Sequence, residues 1–280
     1  VHHLTVTVHD NAVPWTSKLV DFAVVVTNVV EPKRVESRLY AADRSMAAGA
    51  DLGAIRVLAD STDQTTSELR IDTADPVSRA FESDATGDLI LRRPDLLPER
   101  GLHGLRTTFA SGGDPGLLWI LIGDQPGVRE QRWSGQQAVG DPAYQGRLPA
   151  FKAGSAGDDY TRRLSAWLVV PRDGAYRFWI ASDDDAVLRA GADPASAMPI
   201  AAVAGWTAAE AWDAKRGQAS EPQRLKAGQL LYLEAEQHEG SGGDHVAVAW
   251  YGGGQRPRAV IDGAWLIPGD AAPPPTGAPS

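Results

Sequence analysis

Hydrophobic and polar residues alternate with a period of two along much of the chain, and long stretches with the 3.6-residue period of a helix are scarce. Near the start, two alternating runs, Leu4–Val8 and Phe22–Val26, flank a polar turn at Asp10–Pro14. Two such runs joined by a turn predict a β-hairpin. The second run ends before Pro32, which cannot donate a ladder hydrogen bond.

Further runs of this kind predict strands throughout the remaining sequence. They are Leu52–Leu58, Glu68–Ile71, Asp88–Leu91, Leu105–Ala110, Leu164–Val170, Ala175–Ala181, Ala186–Ala190, Gln229–Glu236 and His245–Tyr251. Turn-forming clusters separate them, which favours an all-β sandwich fold over a parallel sheet. We expect unit boundaries near residues 32, 122 and 268, followed by a disordered Pro/Ala/Gly-rich linker at 269–280.

The composition narrows the classes of partner. The 280 residues include 27 Lys and Arg against 36 Asp and Glu, a formal net charge of −9. This charge disfavours nucleic acids and anionic membranes and suits a protein that meets cations. No cysteine is present, which excludes disulfides, thiolate metal sites and cysteine nucleophiles. No apolar run is long enough to span a bilayer, so we expect no membrane insertion. Because strand-like sequence starts at Val1, we expect a longer polypeptide with neighbouring domains.

Two short stretches carry the candidate chemistry. Three carboxylates, Asp183, Asp184 and Asp185, follow an apolar strand, and the glycine-rich stretch Glu239–Asp244 precedes another alternating strand. Calcium takes six to eight oxygen ligands, which adjacent strand-end loops can supply. Alone, the acidic run is typical of a solvated turn and the glycine-rich stretch of a hairpin. Together they predict a calcium site on a β-sandwich.

The front part resembles bacterial cadherin-like repeats over residues 1 to about 115. The similarity lies in the first hairpin, in the linker Asn28–Pro32, in Asp60-Ser-Thr-Asp63 and in the strand–turn–strand segment Phe81–Leu91. The resemblance implies that residues 1–32 are the last strands of one repeat and that residues 33–122 form a degenerate Greek-key sandwich. It leaves two alternatives for Glu31, Asp60 and Asp63, which are interdomain calcium ligands or solvated acids on a spacer.

The back part, residues 123–268, resembles the protective-antigen-type domain, a β-sandwich of yeast flocculins, glycosidases and bacterial adhesins. Pro171–Asp184 is the most specific segment of the match. Further matching segments, in the family's order, are Val128–Trp133, Gly157–Leu168, Ala204–Asp213, Leu225–Ala235 and Gly242–Trp250. The expected fold is therefore all-β, a cadherin-like sandwich followed by a protective-antigen-type sandwich.

The resemblance also implies a ligand set. In sugar-binding members two consecutive aspartates, here Asp183 and Asp184, are joined by a cis peptide and bind calcium. Asp244 matches the acid of the second loop, and backbone carbonyls near Glu239 and Ser241 are the expected further donors. Vicinal sugar hydroxyls would fill the remaining positions on the metal. The side chains expected to line the sugar are Asp185, Trp206, Trp212 and His245. For the two tryptophans a structural clamp is the alternative.

No catalytic set emerges from the sequence. Glu234 and Glu236 share one face of a strand and suit a polar outer surface better than a glycosidase pair. Motifs of serine hydrolases, phosphate-binding loops and zinc proteases are absent from the sequence. We therefore expect a non-enzymatic, calcium-dependent carbohydrate-binding module of a large extracellular or cell-surface adhesin, whose partners are glycans. The alternatives are an accessory domain of a secreted polysaccharide-active enzyme and a ligand-free structural spacer.

Overall fold

The computed structural model describes residues 33–58, 69–110, 113 and 115–271, apart from the side chains of residues 255 and 256. It also gives the backbone of two strands nearer the amino end. The chain divides into two compact units, residues 1–32 and 33–280. The predicted calcium ligands Glu31, Asp60 and Asp63 and the linker beyond residue 271 lie outside the described residues. No described helix is long and apolar enough to cross a membrane.

The first unit contains the predicted hairpin. Strands β1, His2–His9, and β2, Ser17–Val24, pair antiparallel, with Leu4 opposite Phe22. This pairing confirms the hairpin. The second strand begins five residues earlier than the alternating run, because the ladder extends until Ser17 lies opposite His9.

The front part of the second unit is built from nine strands and two short 3₁₀ helices among the described residues. The strands are β3 Arg34–Val35, β4 Leu39–Ala42, β5 Ala50–Ala54, β6 Val57–Leu58, β7 Leu69–Ile71, β8 Phe81–Ser83, β9 Asp88–Leu91, β10 Gly101–Phe109 and β11 Gly116–Ile122. The 3₁₀ helices are Ser78–Ala80 and Pro94–Leu96. A four-stranded sheet has the order β4-β11-β10-β7, a three-stranded sheet has the order β5-β9-β8, and β3 pairs with β6.

Two details of this part differ from the sequence predictions. The single strand predicted at Leu52–Leu58 is divided into β5 and β6, because Gly53 has a positive φ of 107° and the ladder shifts register beside it. Strand β11 pairs parallel with β4, although turns between short strands favour antiparallel pairing. Its sequence is continuously apolar, without alternation, so period two could not reveal it.

The back part is a sandwich of two sheets. Its strands are β12 Val128–Ser134, β13 Tyr144–Leu148, β14 Lys152–Ala153, β15 Tyr160–Val169, β16 Gly174–Asp183, β17 Asp185–Gly191, β18 Met198–Val203, β19 Gln223–Leu225, β20 Leu230–Glu239, β21 His245–Gly252, β22 Gln255–Val260 and β23 Leu266–Pro268, with a 3₁₀ helix at Gly263–Trp265. The seven-stranded sheet has the order β13-β12-β15-β20-β17-β18, with β23 also paired to β15. The five-stranded sheet has the order β14-β21-β16-β19, with β22 on β21.

Alternation along these strands separates the core from the outer faces. On β16, Tyr176, Phe178 and Ile180 belong to the buried core, and the residues between them point outward. On β20, Glu234 and Glu236 lie on the outer face, where Arg163 contacts Glu236 at 2.7 Å. The seven-stranded sheet therefore has a charged outer surface at this position, as its alternation predicted.

The two parts of the second unit share a small apolar interface. Strand β11 directs alternate residues into the front core and into this interface, which is why it is apolar throughout. The buried interface residues are Leu39, Trp119, Leu121, Trp167, Val169, Tyr232 and Ile267. Burying a large apolar side chain stabilises by roughly 1.5–3 kcal/mol. Trp119 also donates from its indole nitrogen to the carbonyl of Gly228 at 2.9 Å.

The first residues of the predicted linker are ordered against the back sandwich. Gly269 donates its backbone N–H to Ser165 at 3.1 Å, and Asp270 lies 2.8 Å from Arg147. Ala271 packs against the interface cluster. The disordered segment predicted from residue 269 was therefore wrong for these three residues, because an ion pair and apolar contacts hold them.

Candidate functional site

Two chain crossings between the sheets meet at one end of the back sandwich. Strand β16 of the five-stranded sheet continues through Asp184 alone into β17 of the seven-stranded sheet. The turn after β20 returns in the opposite direction, into β21. Asp183 pairs with His245, and Asp185 pairs with His238. This register places the acidic run and the glycine-rich turn side by side, although more than fifty residues separate them in the sequence.

Direct contacts link the two crossings. The peptide bond between Asp183 and Asp184 is cis, as the family resemblance implies. The backbone N–H of Gly240 donates to Oδ2 of Asp184 at 3.1 Å. A Cβ at position 243 would lie 2.5 Å from Oδ2 of Asp183, so any larger residue at this position would displace that carboxylate. Partial burial, and then the neighbouring charge of Asp184, raise the pKa of Asp183.

Glu239, the last residue of β20, is a buried carboxylate beside the acidic pair. Its side chain is fully buried, and neither Oε1 nor Oε2 accepts a hydrogen bond of normal geometry among the described residues, although the backbone N–H of Asp184 contacts it weakly and acts to lower its pKa. Burial first, and then the charges of the neighbouring aspartates, raise the pKa of Glu239 to about 7. Among the described residues, no Lys or Arg forms an ion pair with Glu239, Asp183 or Asp184. The site therefore concentrates the negative charge of Asp183, Asp184 and Glu239, and among the described residues the imidazole of His245 is the basic group that acts on Asp183.

Asp244 has the opposite environment, although it too is buried. Its Oδ1 accepts hydrogen bonds from Arg162 and Gln237, and its Oδ2 accepts from the backbone N–H of Ala156 and the hydroxyl of Tyr160. A carboxylate offers about four acceptor positions, and protein donors occupy that number here. The role predicted for Asp244 as a metal ligand therefore has no acceptor position left, and its carboxylate anchors the turn instead.

Arg162 on β15 is the centre of that anchor. It is 1% exposed, and its guanidinium donates to Glu130 at 2.9 Å, to Gln237 at 2.9 Å and to the carbonyl of Gly154 at 2.7 Å, besides Asp244. Buried ion pairs are tolerated when hydrogen bonds satisfy every donor around them. This network joins β12, β15, β20 and the start of β21 beneath the turn.

Two further predicted site residues, Asp185 and Trp206, lie near the acidic pair. Asp185 is exposed and accepts a hydrogen bond from the backbone of Gly205. Trp206 is 62% exposed, and the next residue, Thr207, donates its N–H to Ser182 at 2.8 Å. These bonds place Trp206 beside the strand end that carries Asp183.

The other three predicted residues, His245, Ser241 and Trp212, differ in their burial and in their contacts. His245 is partly buried opposite Asp183, and its Nε2 has no partner among the described residues. Ser241 is exposed at the tip of the turn. Trp212 is partly buried and precedes Asp213, which pairs with Arg258 away from the acidic residues. The structure does not bring Trp212 to the site through any described contact.

Sequence reasoning missed a third loop at this end of the sandwich. Asp158 accepts a hydrogen bond from the backbone of Gly242 at 3.2 Å, and Asp159 donates its N–H to the carbonyl of Gly240 at 2.8 Å. Gln136 donates to the carbonyl of Glu239 at 2.6 Å. The adjacent acids at 158 and 159 were the available signal, but their position before a core strand hid their contact with the turn.

The two chain crossings carry oxygen atoms of the kind that bind a hard cation. Among the described residues, no three His, Asp or Glu side chains form a ready group of metal ligands. Calcium, however, also accepts backbone carbonyls and water as ligands. Two partly exposed carboxylates, a buried carboxylate and a turn rich in glycine therefore fit a calcium ion, whereas Asp244 does not.

Neither a protein-family model nor a curated protein matches the chain. Several solved structures are similar to it. An anti-sigma factor domain-containing protein from Clostridium clariflavum is 18% identical, with a TM-score of 0.40 over 65% of this chain and 62% of that protein. The chain therefore spans less than two thirds of that protein's length.

Two adhesin domains are also similar to this chain. A PA14 sugar-binding domain from an RTX adhesin is 12% identical, with a TM-score of 0.40 over 52% of this chain and all of that domain. The epithelial adhesin 6 A domain from Candida glabrata, in complex with Galβ1-3GlcNAc, is 11% identical. Its TM-score is 0.38 over 51% of this chain and 86% of that chain.

Proposed function

We propose that the back sandwich is a lectin-like module that binds carbohydrate through a calcium ion. The observation that carries this proposal is the cluster of carboxylates where the two chain crossings meet, which has no Lys or Arg ion pair at Asp183, Asp184 or Glu239 among the described residues. Asp183 and Asp184 face the glycine-rich turn, and the fully buried Glu239 beside them accepts no hydrogen bond of normal geometry from the described part of the chain. Burial, and then repulsion from the neighbouring aspartates, raise the pKa of Glu239, and a divalent cation would offset this repulsion.

The ligand set of this proposal comprises the carboxylates of Asp183 and Asp184 and backbone carbonyls of the turn around Ser241. Such a set leaves coordination positions open, and two neighbouring hydroxyl groups of a sugar can occupy them. Glu239 supplies charge beneath the ion. Asp244, which already accepts four hydrogen bonds, holds the turn in place.

The surface around the acidic pair supports a sugar ligand. Trp206 presents an exposed indole beside the strand end, and aromatic rings can pack against the C–H face of a pyranose. Asp185 and His245 flank the same position. We extend the proposal to the setting of an extracellular or cell-surface adhesin, in which the front sandwich acts as a spacer that holds the lectin module away from its attachment.

Calcium titration calorimetry on the whole chain tests this function. Wild-type protein is compared with Asp184→Asn and with the control Asp193→Asn. Asp193 is exposed in the turn that follows the opposite end of β17, so both variants lose one negative charge. We expect binding heat and an increased melting temperature with calcium in the wild type and in Asp193→Asn, and neither in Asp184→Asn.

A glycan array in calcium and in EDTA then tests the carbohydrate. Calcium-dependent signals that disappear in Asp184→Asn and weaken in Trp206→Ala would support the lectin assignment. Calcium binding without any glycan signal would leave a metal-stabilised spacer. The absence of a calcium response in the wild type would contradict the proposal.

A further inference from the structure

A second surface feature lies on the outer face of the five-stranded sheet, apart from the acidic residues. It is an open groove of about 550 Å³, whose lining includes Arg177, Trp179, Pro222, Tyr251, Pro257 and Arg258. This volume is within the range of ligand sites in proteins. Along β16, Arg177 precedes Asp183 by six residues, a separation of about 20 Å at the rise of an extended strand.

Arginine and aromatic side chains are stacked in this groove. The guanidinium of Arg258 lies 4.7 Å from the ring centre of Trp179, and that of Arg177 lies 5.3 Å from it. Asp213 binds Arg258 through both carboxylate oxygens, at 3.1 and 2.7 Å. The stack holds both guanidinium groups at the surface of the groove.

The groove is basic on a protein that is acidic as a whole. Register places Arg224 opposite Ala175 and Tyr251 opposite Arg177, so these side chains share the outer face. The described lining of the groove includes two arginines, Arg177 and Arg258, and no carboxylate; register adds Arg224 beside the lining residue Ala175, while Asp213 binds Arg258. Because charges are screened beyond about 8 Å at physiological salt, this local excess outweighs the distant net charge of −9.

The chemistry of the lining selects among anionic ligands. Trp179 is only 8% exposed and lies under two guanidinium groups, so it offers no open face on which a nucleobase could stack. Tyr251 is 36% exposed, and the two prolines beside it add apolar surface that suits the C–H faces of sugar rings. Guanidinium groups bind carboxylates in a bidentate manner.

We propose that this groove is a second, calcium-independent binding site for an acidic polysaccharide, with sugar rings on Tyr251 and the prolines and uronate carboxylates on Arg177 and Arg224. The site does not depend on the proposed calcium site. A polysaccharide that occupies both sites at once would bind more tightly than it binds either site alone.

The test is calorimetric titration of the whole chain with polygalacturonate in EDTA. Wild type is compared with the double variant Arg177→Gln/Arg224→Gln and with the control Arg44→Gln/Arg100→Gln, whose exposed arginines lie in the front sandwich. Both doubles change the net charge equally. We expect the groove variant to bind about tenfold more weakly or worse, because charge-assisted hydrogen bonds are lost. The control and Asp184→Asn should bind as the wild type does.

Neutral dextran and single-stranded oligothymidylate serve as comparison polymers, and neither should bind comparably. The proposal is overturned if the wild type does not bind polygalacturonate in EDTA or if both double variants lose affinity equally. Equal binding of the oligothymidylate would also overturn it. These outcomes are distinct from failure of the lectin proposal, which is measured in calcium with Asp184→Asn.

Discussion

At the scale of the residue, two buried carboxylates five positions apart have opposite surroundings. Asp244 accepts four hydrogen bonds from protein donors, whereas neither oxygen of Glu239 accepts one of normal geometry among the described residues. Residue type and spacing alone suggested a metal role for both. Donors contributed by distant strands decide which carboxylate remains available, so this distinction could not be predicted from the sequence.

Glu239 should make the metal-free protein less stable as the pH rises. Its folded-state pKa of about 7 exceeds the ordinary value of 4.5, so the folded state binds more protons between these values than the unfolded state. The free energy of unfolding therefore falls across this window, by up to about 3 kcal/mol. Urea unfolding in EDTA at several pH values measures this decrease, and we expect it to be smaller in Glu239→Gln. If the free energy of unfolding of the variant fell with pH as steeply as that of the wild type, the raised pKa of Glu239 would be contradicted.

At the scale of the element, the acidic site depends on strand pairing. The pairs of β16 with β21 and of β17 with β20 bring the two crossings together, and the buried guanidinium of Arg162 ties β15 to the turn. Alternation predicted most of these strands, because one face of each packs into the core. It did not predict the partners of Arg162, which come from positions up to 82 residues away.

Removing the Arg162 side chain should strongly destabilise the back sandwich. Arg162→Leu removes the closest cation from the buried carboxylates of Glu130 and Asp244, which costs about 3–5 kcal/mol in the free energy of unfolding. The neighbouring Arg163 is a matched control, because its side chain is 30% exposed in its contact with Glu236. We expect Arg163→Leu to cost under about 1 kcal/mol. Chemical denaturation of both variants measures this difference. Equal decreases in the free energy of unfolding would show that the buried network around Arg162 contributes no more than the partly exposed ion pair of Arg163.

At the scale of the whole molecule, the two sandwiches of the second unit are joined by buried side chains. Trp119 from the front part lies in one cluster with Trp167 and Tyr232 from the back part, and Glu36 pairs with Arg172 at 2.6 Å. The family resemblances suggested separate domains on either side of residue 122. Continuous packing across this position joins the front part to the back sandwich.

Trp119→Ala should therefore reduce the stability of the whole second unit. A large cavity in a buried cluster costs about 3–5 kcal/mol, and the indole hydrogen bond to Gly228 is lost as well. Trp206→Ala, which removes an exposed indole, should change the free energy of unfolding by under about 0.5 kcal/mol. Thermal and chemical unfolding of the two variants test this expectation. A neutral effect of Trp119→Ala would show that the sandwiches are energetically independent.

The sequence by itself determined the features that depend on local pattern. Period-two alternation indicated an all-β chain, and consecutive aspartates with a glycine-rich turn marked the candidate site, because backbone geometry and residue chemistry act over a few neighbouring positions. Only the tertiary structure decided that Asp244 is occupied and that Asp158 meets the turn. It also decided that a basic groove forms over Trp179. These features depend on pairing between strands far apart in the sequence, where register and burial determine the partner of each charge.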